Sequence, residues 1–215
     1  MGWLSELFGG KKSELDKDIA AVFSMVNRIL DDEEFQIAML PEPVQALIHS
    51  KAPCDEKAGA TGDFGMSAAN PIPVNGPIGQ LAYISKLRTN SGDGLFFHRI
   101  GAVGAIDVFE AVSMPGSEWF IFFLNMYYTR RSRKAPTGLS ISSEPSQFSG
   151  FTQHCRDFPR DFPEAKQGNG GSGLNFAYIS LSKAQAALKK GTFERPLSHR
   201  AKMDIVRAEL SSVLT

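Results

Sequence analysis

The sequence has little of three features that often mark a function: cysteine, net charge and long apolar runs. Its two cysteines, Cys54 and Cys155, lie far apart, which excludes a disulfide scaffold and a short-spaced metal site. The 23 basic and 23 acidic residues cancel, so no overall field draws the chain to nucleic acid or to an anionic membrane. The best apolar run, residues 119–124, is far shorter than the roughly 20 residues that span a bilayer. These absences predict a soluble protein of the reducing cytoplasm.

The motifs of common enzymes and cofactor sites are also missing. The glycine-rich segments 101–104 and 168–173 lack the G-x-x-x-x-G-K-[ST] pattern of a phosphate-binding loop, and no G-x-S-x-G sequence occurs. The histidines show no spacing that would assemble a metal site on one element: His49, His98, His154 and His199. The sequence therefore predicts no metal and no cofactor, and it favours a protein that is not an enzyme.

The remaining composition is that of an ordinary globular protein. The chain has 215 residues, of which 42% are hydrophobic and 21% charged, and 16 are phenylalanine. This length suits one large domain, and the phenylalanine content favours a core rich in β-sheet. We predict an α+β fold with an N-terminal helix pair, a mostly antiparallel sheet of about five strands and a C-terminal helix.

Both ends of the chain carry helical patterns. Ser13 begins a capping box, and apolar residues then recur at helical spacing as far as Leu30. A second helical stretch starts near Glu33, is interrupted by two prolines and resumes through Ile48. Near the end, Ser198 can start a helix with an apolar stripe at helical spacing: Met203, Val206, Leu210 and Val213.

The middle of the chain carries strand patterns with short, glycine-containing connections, which suit antiparallel neighbours. The predicted strands are residues 81–88, 95–100, 106–113 and 118–128, and a further strand is predicted at 174–181. A single domain over 13–215 would then have long loops at 51–80 and 130–173. Residues 1–12 precede it as a separate segment.

A basic cluster follows the most hydrophobic predicted strand. Arg130, Arg131, Arg133 and Lys134 place four cations within five residues, and Tyr128 flanks them. Arginine offers a planar fork of donors that suits phosphate or carboxylate, and tyrosine can stack on bases. With Asn75 of the long loop as a further hydrogen-bonding group, these residues are the candidate binding site. The alternative is a solvated strand end whose cations pair with the acidic front helix.

The leading hypothesis is a non-catalytic binding or interaction module that uses this basic cluster. Its partner would be an unknown protein or a small anionic ligand, with nucleic acid as a further candidate. It predicts that replacing Arg130, Arg131 and Arg133 together by alanine removes binding and leaves the melting temperature nearly unchanged.

Two alternative functions remain open. An enzyme site could assemble from distant residues, with His98 as general base, Arg99 or Arg130 as anion clamp and Asn75 as a hydrogen-bonding group. Against this, a histidine within a sheet is often only a hydrogen-bonded structural group.

A peripheral membrane or complex anchor is the other alternative, and it rests on the first residues of the chain. A short amphipathic helix before Gly9-Gly10 could contact lipid or a protein partner through one apolar face, or it could fold back on its domain or fray. That face consists of Trp3, Leu4, Leu7 and Phe8.

Overall fold

A computed structural model of the chain describes residues 14–146, 153–154 and 194–212. The helices in these ranges are α1 (Glu14–Asp31), α2 (Glu33–Ala38), α3 (Glu42–His49), α4 (Gly76–Lys86) and α5 (Leu197–Ser212). The strands are β1 (Ile72–Pro73), β2 (Leu87–Thr89), β3 (Leu95–Val103), β4 (Ile106–Ser113), β5 (Trp119–Asn125) and β6 (Leu139–Ile141). Within the same ranges, no helix combines the length and the apolar character that crossing a membrane requires.

Four strands form the main sheet in the order β1-β5-β4-β3. β3, β4 and β5 are antiparallel neighbours joined by short turns, whereas the two-residue β1 pairs with β5 in parallel. A separate antiparallel pair consists of β2 and β6. The α+β class, the mostly antiparallel sheet and the helices at both ends of the chain are therefore confirmed.

The strand predicted at residues 81–88 is wrong, because α4 covers most of it. The helix begins after Asn75, with a proline in its first turn, where the missing N–H of proline costs nothing. Most of its later residues are buried, Gln80 and Ser85 included, so the sequence lacks the one-sided apolar pattern of a surface helix. A short apolar run of this kind does not distinguish a strand from a buried helix.

The main sheet separates two apolar clusters. One face carries Phe97, Phe109 and Phe122, and it packs against Tyr83 and Ile84 of α4. The opposite face carries Val108, Ile121 and Phe123, and it packs against Met203 and Val206 of α5. Because side chains alternate along a strand, Glu110 lies on the second face, between the sheet and the C-terminal helix.

The C-terminal part of the predicted loop at 51–80 belongs to the core. Residues 70–76 are buried and include β1, which adds a strand to the edge of the sheet. The segment 1–12 and the predicted strand at 174–181 lie outside the described residues.

Candidate functional site

Three of the four cations in the basic cluster are paired within the protein. Arg130 contacts Asp55 with 2.6 Å between Nη1 and Oδ1, and Lys134 forms an ion pair with Glu56. Arg131 contacts Glu33 at 3.1 Å. These three side chains hold the segment after β5 against α2 and the long loop.

Arg131 also binds the end of α1. Its Nη1 donates to the carbonyl of Leu30 at 2.8 Å, and its Nη2 donates to the carbonyl of Asp31 at 3.0 Å. The last carbonyls of a helix have no partner within the helix and carry its partial negative charge. Arg131 therefore caps the C-terminal end of α1 from a distant part of the chain. For this residue, the contact agrees with the alternative in which the cations of the cluster pair with the acidic front helix.

Arg133 differs from its neighbours. Its backbone N–H donates to Oδ1 of Asp55 at 2.7 Å, which fixes the main chain, while the side chain is exposed. Among the residues that the structure describes, none forms a hydrogen bond or an ion pair with its guanidinium group. Arg133 is thus the exposed member of the cluster that has no ion-pair partner among the described residues.

A pocket of about 590 Å³ lies beside Arg133, between the end of α1, α4 and β6. We call it the Arg133 pocket. Its charged lining consists of Asp31, Glu33, Lys86, Arg131 and Arg133, and its hydroxyl-bearing lining consists of Tyr83, Ser132, Ser142 and Ser143.

Asp31 is an internal partner in this pocket. It pairs with Lys86 at 2.8 Å and accepts hydrogen bonds from the backbone N–H and the hydroxyl of Ser146. Burial opposes its ionisation, but the bonds from Lys86 and Ser146 prevail and hold the pKa of the Asp31 carboxyl below its usual range. Asp31 is therefore a carboxylate at neutral pH, and it neutralises Lys86.

Four of the six predicted binding residues are not among the described residues that line this pocket: Arg130, Lys134, Asn75 and Tyr128. Asn75 is fully buried, and its Nδ2 donates to Oε1 of Gln36 at 2.6 Å and to the carbonyl of Glu33 at 3.2 Å, so it holds α2 against the start of α4. Tyr128 lies under the ammonium group of Lys51, which is 5.1 Å from the ring centroid. This contact covers one face of a ring that was predicted to stack on bases.

His98 belongs to a different group of side chains, centred on a carboxylate with 0% exposure, that of Glu110. Nε2 of His98 lies 2.7 Å from Oε2 of Glu110, and Nε2 of His199 lies 2.9 Å from Oε1. Arg195 donates to both carboxylate oxygens, at 2.6 and 2.9 Å. We call Glu110, His98, Arg195 and His199 the Glu110 cluster.

The carboxyl group of Glu110 is ionised. Burial alone would raise the pKa of the Glu110 carboxyl, but hydrogen bonds from His199, His98 and Arg195 hold it well below its usual range. The ionised carboxylate is only an acceptor, so the facing nitrogen of each histidine donates. The cluster links β3 and β4 to the start of α5.

The residues of the predicted enzyme site have different side-chain partners. His98 bonds to Glu110, whereas Arg99 pairs with Asp107, which also accepts a hydrogen bond from Gln80. Arg130 and Asn75 have the contacts given above, with Asp55 and with Gln36. Each of these four residues thus bonds to a different side chain, and their assembly into one enzyme site stays a prediction. Within the described part of the chain, no group of three or more histidine, cysteine or acidic side chains is arranged to hold a metal ion.

Comparison of the chain with models of protein families, with curated proteins and with solved structures finds no match. The pockets and side-chain clusters of the described residues are therefore the basis for a functional proposal.

Proposed function

We propose that the protein is a binding module of the cytoplasm that takes a small anionic ligand in the Arg133 pocket. The observation that carries this proposal is the exposed guanidinium group of Arg133 at a pocket whose other cations already have carboxylate partners. An unpaired guanidinium can form two parallel charge-assisted hydrogen bonds to a carboxylate or a phosphate.

The charge balance of the pocket favours a ligand with a negative group. Lys86 is neutralised by Asp31 and Arg131 by Glu33, which leaves the charge of Arg133. Because each internal ion pair is neutral overall, its carboxylate repels an incoming anion about as much as its cation attracts it. The anionic group of the ligand should therefore lie at Arg133 rather than at the centre of the pocket.

Hydroxyl groups on the β6 side supply further donors. The Oγ atom of Ser142 accepts from the backbone N–H of Glu144 at 3.2 Å, so its own proton remains for a ligand. Ser132 differs, because its hydroxyl donates to the carbonyl of Asp55 at 2.7 Å. A volume of about 590 Å³ falls in the range of small-molecule sites, about 300 to 1,000 Å³.

The three arginines of the original hypothesis thus have different roles in this proposal. Arg130 and Arg131 support the pocket through Asp55 and Glu33, while Arg133 contacts the ligand. A triple alanine variant would lose internal ion pairs as well as the proposed ligand contact, so lost binding could not be told from lost stability. Arg133→Gln alone separates the two effects, because its side chain has no described hydrogen bond or ion pair to lose and only attracts Asp55 without direct contact.

The test is calorimetric titration of inorganic phosphate and of benzoate at low ionic strength into the wild type and Arg133→Gln. A charge-assisted hydrogen bond contributes about 1.5 to 3 kcal/mol, so we expect the substitution to weaken binding about tenfold or more. The matched control is Lys57→Gln, which removes the same charge from an exposed side chain outside the pocket. Its affinity should equal that of the wild type.

The choice of probes identifies the ligand class. Preference for phosphate or for benzoate would show which anionic group the pocket takes. Equal affinity of Arg133→Gln and the wild type for both anions would refute the proposal. Tight binding of a short single-stranded oligonucleotide, with neither small anion bound, would favour the nucleic-acid interpretation instead.

A further inference from the structure

A second pocket, of about 540 Å³, lies on the opposite side of the sheet, between α5, β5 and residues 63–69. We call it the Trp119 pocket. Its lining combines apolar side chains, among them Met66, Trp119, Ile205 and Val206, with five polar ones: Asp63, Ser67, His199, Lys202 and Glu209. None of these residues lines the Arg133 pocket, so a ligand here would be independent of the anion proposed above.

His199 gives this pocket a defined polar group. The residue is only 5% exposed, and its ring lies against that of Trp119, with 5.3 Å between centroids. Its Nε2 must donate to Glu110, because the carboxylate is ionised and can only accept. When the ring is neutral, Nδ1 is consequently the nitrogen with a lone pair. Within the described residues, Nδ1 has no hydrogen-bond partner.

The helix side of the pocket exposes one large apolar side chain, Ile205, between the charged residues Lys202 and Glu209. Ile205 is 62% exposed although it is a large aliphatic residue, and it borders the pocket beside the buried Val206. A ligand that covered Ile205 would remove apolar area from water, which stabilises a complex. Trp119 adds an aromatic ring to the lining. Since Arg195 lies over this ring, with 5.5 Å from Cζ to the centroid, and His199 lies against it, a ligand ring would pack edge-on.

We propose that the Trp119 pocket is a second ligand site and that it takes a small aromatic molecule carrying a hydroxyl or N–H donor. The aromatic body packs between Trp119 and Ile205. The donor bonds to Nδ1 of His199, whose tautomer and orientation are set by Glu110. The site discriminates between ligands of the same shape by the presence of that donor.

The test compares two probes of nearly equal shape, phenol and toluene, by ligand-observed NMR titration of the full chain. A net hydrogen bond of about 1 kcal/mol corresponds to an affinity ratio of about five, so phenol should bind about fivefold more tightly than toluene. Arg133→Gln should bind phenol as the wild type does, because that residue lies at the other pocket.

A pair of substitutions on α5 locates the binding. Ile205→Lys replaces the exposed apolar side chain of the lining by a charge and should weaken both probes at least severalfold. Leu197→Lys is the matched control on the same helix, at a position that is 82% exposed and outside the pocket, and it should change neither affinity. Neither substitution touches the Glu110 cluster, so both variants should fold.

Three results would overturn the proposal: no binding of either probe at millimolar concentration, equal affinity for phenol and toluene, or unchanged binding by Ile205→Lys.

Discussion

Replacing Glu110 by glutamine tests how much the Glu110 cluster contributes to stability. Glutamine has nearly the same shape, but it removes the charge and turns an NH₂ group toward partners that are themselves donors. Arg195 then keeps only one of its two acceptors, and either His98 or His199 faces an NH₂ group in place of a carboxylate oxygen, all within a buried site. Breaking a buried ion pair by removing one member costs about 3 to 5 kcal/mol. The side chain of Arg195 is 24% exposed, so water can partly solvate it and we expect the lower end, about 3 kcal/mol.

The assay is thermal unfolding followed by circular dichroism at pH 7. In a domain of 150 to 250 residues, 1 kcal/mol shifts Tm by about 2 to 4 °C, so Glu110→Gln should lower Tm by about 6 to 12 °C. Glu34→Gln is the control, because Glu34 is exposed in α2 and its loss should change stability by less than about 0.5 kcal/mol. A Tm for Glu110→Gln within 2 °C of the wild type would refute this reasoning.

The stability difference between wild type and Glu110→Gln should depend on pH. The folded-state pKa of Glu110 is lowered, so its contribution to stability is present above the unfolded value of about 4.3 and is lost as the pH falls toward the folded value. The difference in Tm between wild type and Glu110→Gln should therefore shrink below about pH 5. A difference that stays constant or grows between pH 5 and pH 3 would contradict the assignment of the charge to Glu110.

Two further pairs of variants test local structure by the same unfolding assay. Arg131→Gln should lower the free energy of unfolding by about 2 kcal/mol, because it removes charge-assisted hydrogen bonds to the end of α1 and to Glu33. Arg133→Gln should lower it by less than about 0.5 kcal/mol. Equal losses would contradict the different roles of the two residues. Gly65→Ala should destabilise more than Gly92→Ala by about 1 kcal/mol or more. Both glycines have a positive φ, but only a Cβ at position 65 would meet another side chain, that of Ile72 at 2.7 Å. A larger loss of stability for Gly92→Ala than for Gly65→Ala would refute this explanation.

Local sequence patterns were enough to predict the class of the fold. The three strands from β3 to β5 follow one another with short turns, so alternation and turn residues carry the information. The helical stripe that includes Met203 and Val206 is likewise local, and both residues are buried against the sheet. In contrast, α4 is buried on most sides, and its sequence lacks the one-sided pattern that separates a surface helix from a strand.

The candidate sites depend on contacts between residues far apart in the chain. The sequence indicates a cluster of cations, but Glu33 and Asp55, which neutralise two of them, lie 98 and 75 residues earlier. The Glu110 cluster was missed for the same reason, since Arg195 is 85 residues away. One signal for it was available: Glu110 lies between Val108 and Val112 on one face of a strand, and a charge in that position requires a partner.

Chemical-shift mapping tests the central claim, that the Arg133 pocket binds an anion, most directly. Inorganic phosphate would be titrated into the ¹⁵N-labelled full chain, with sodium chloride at matched ionic strength as the reference. The account predicts saturable shifts at the amides of residues 131–133 and 141–143 and at the Nε–H of Arg133, none of which survives in Arg133→Gln. Saturable shifts elsewhere, with these amides unmoved, would contradict it.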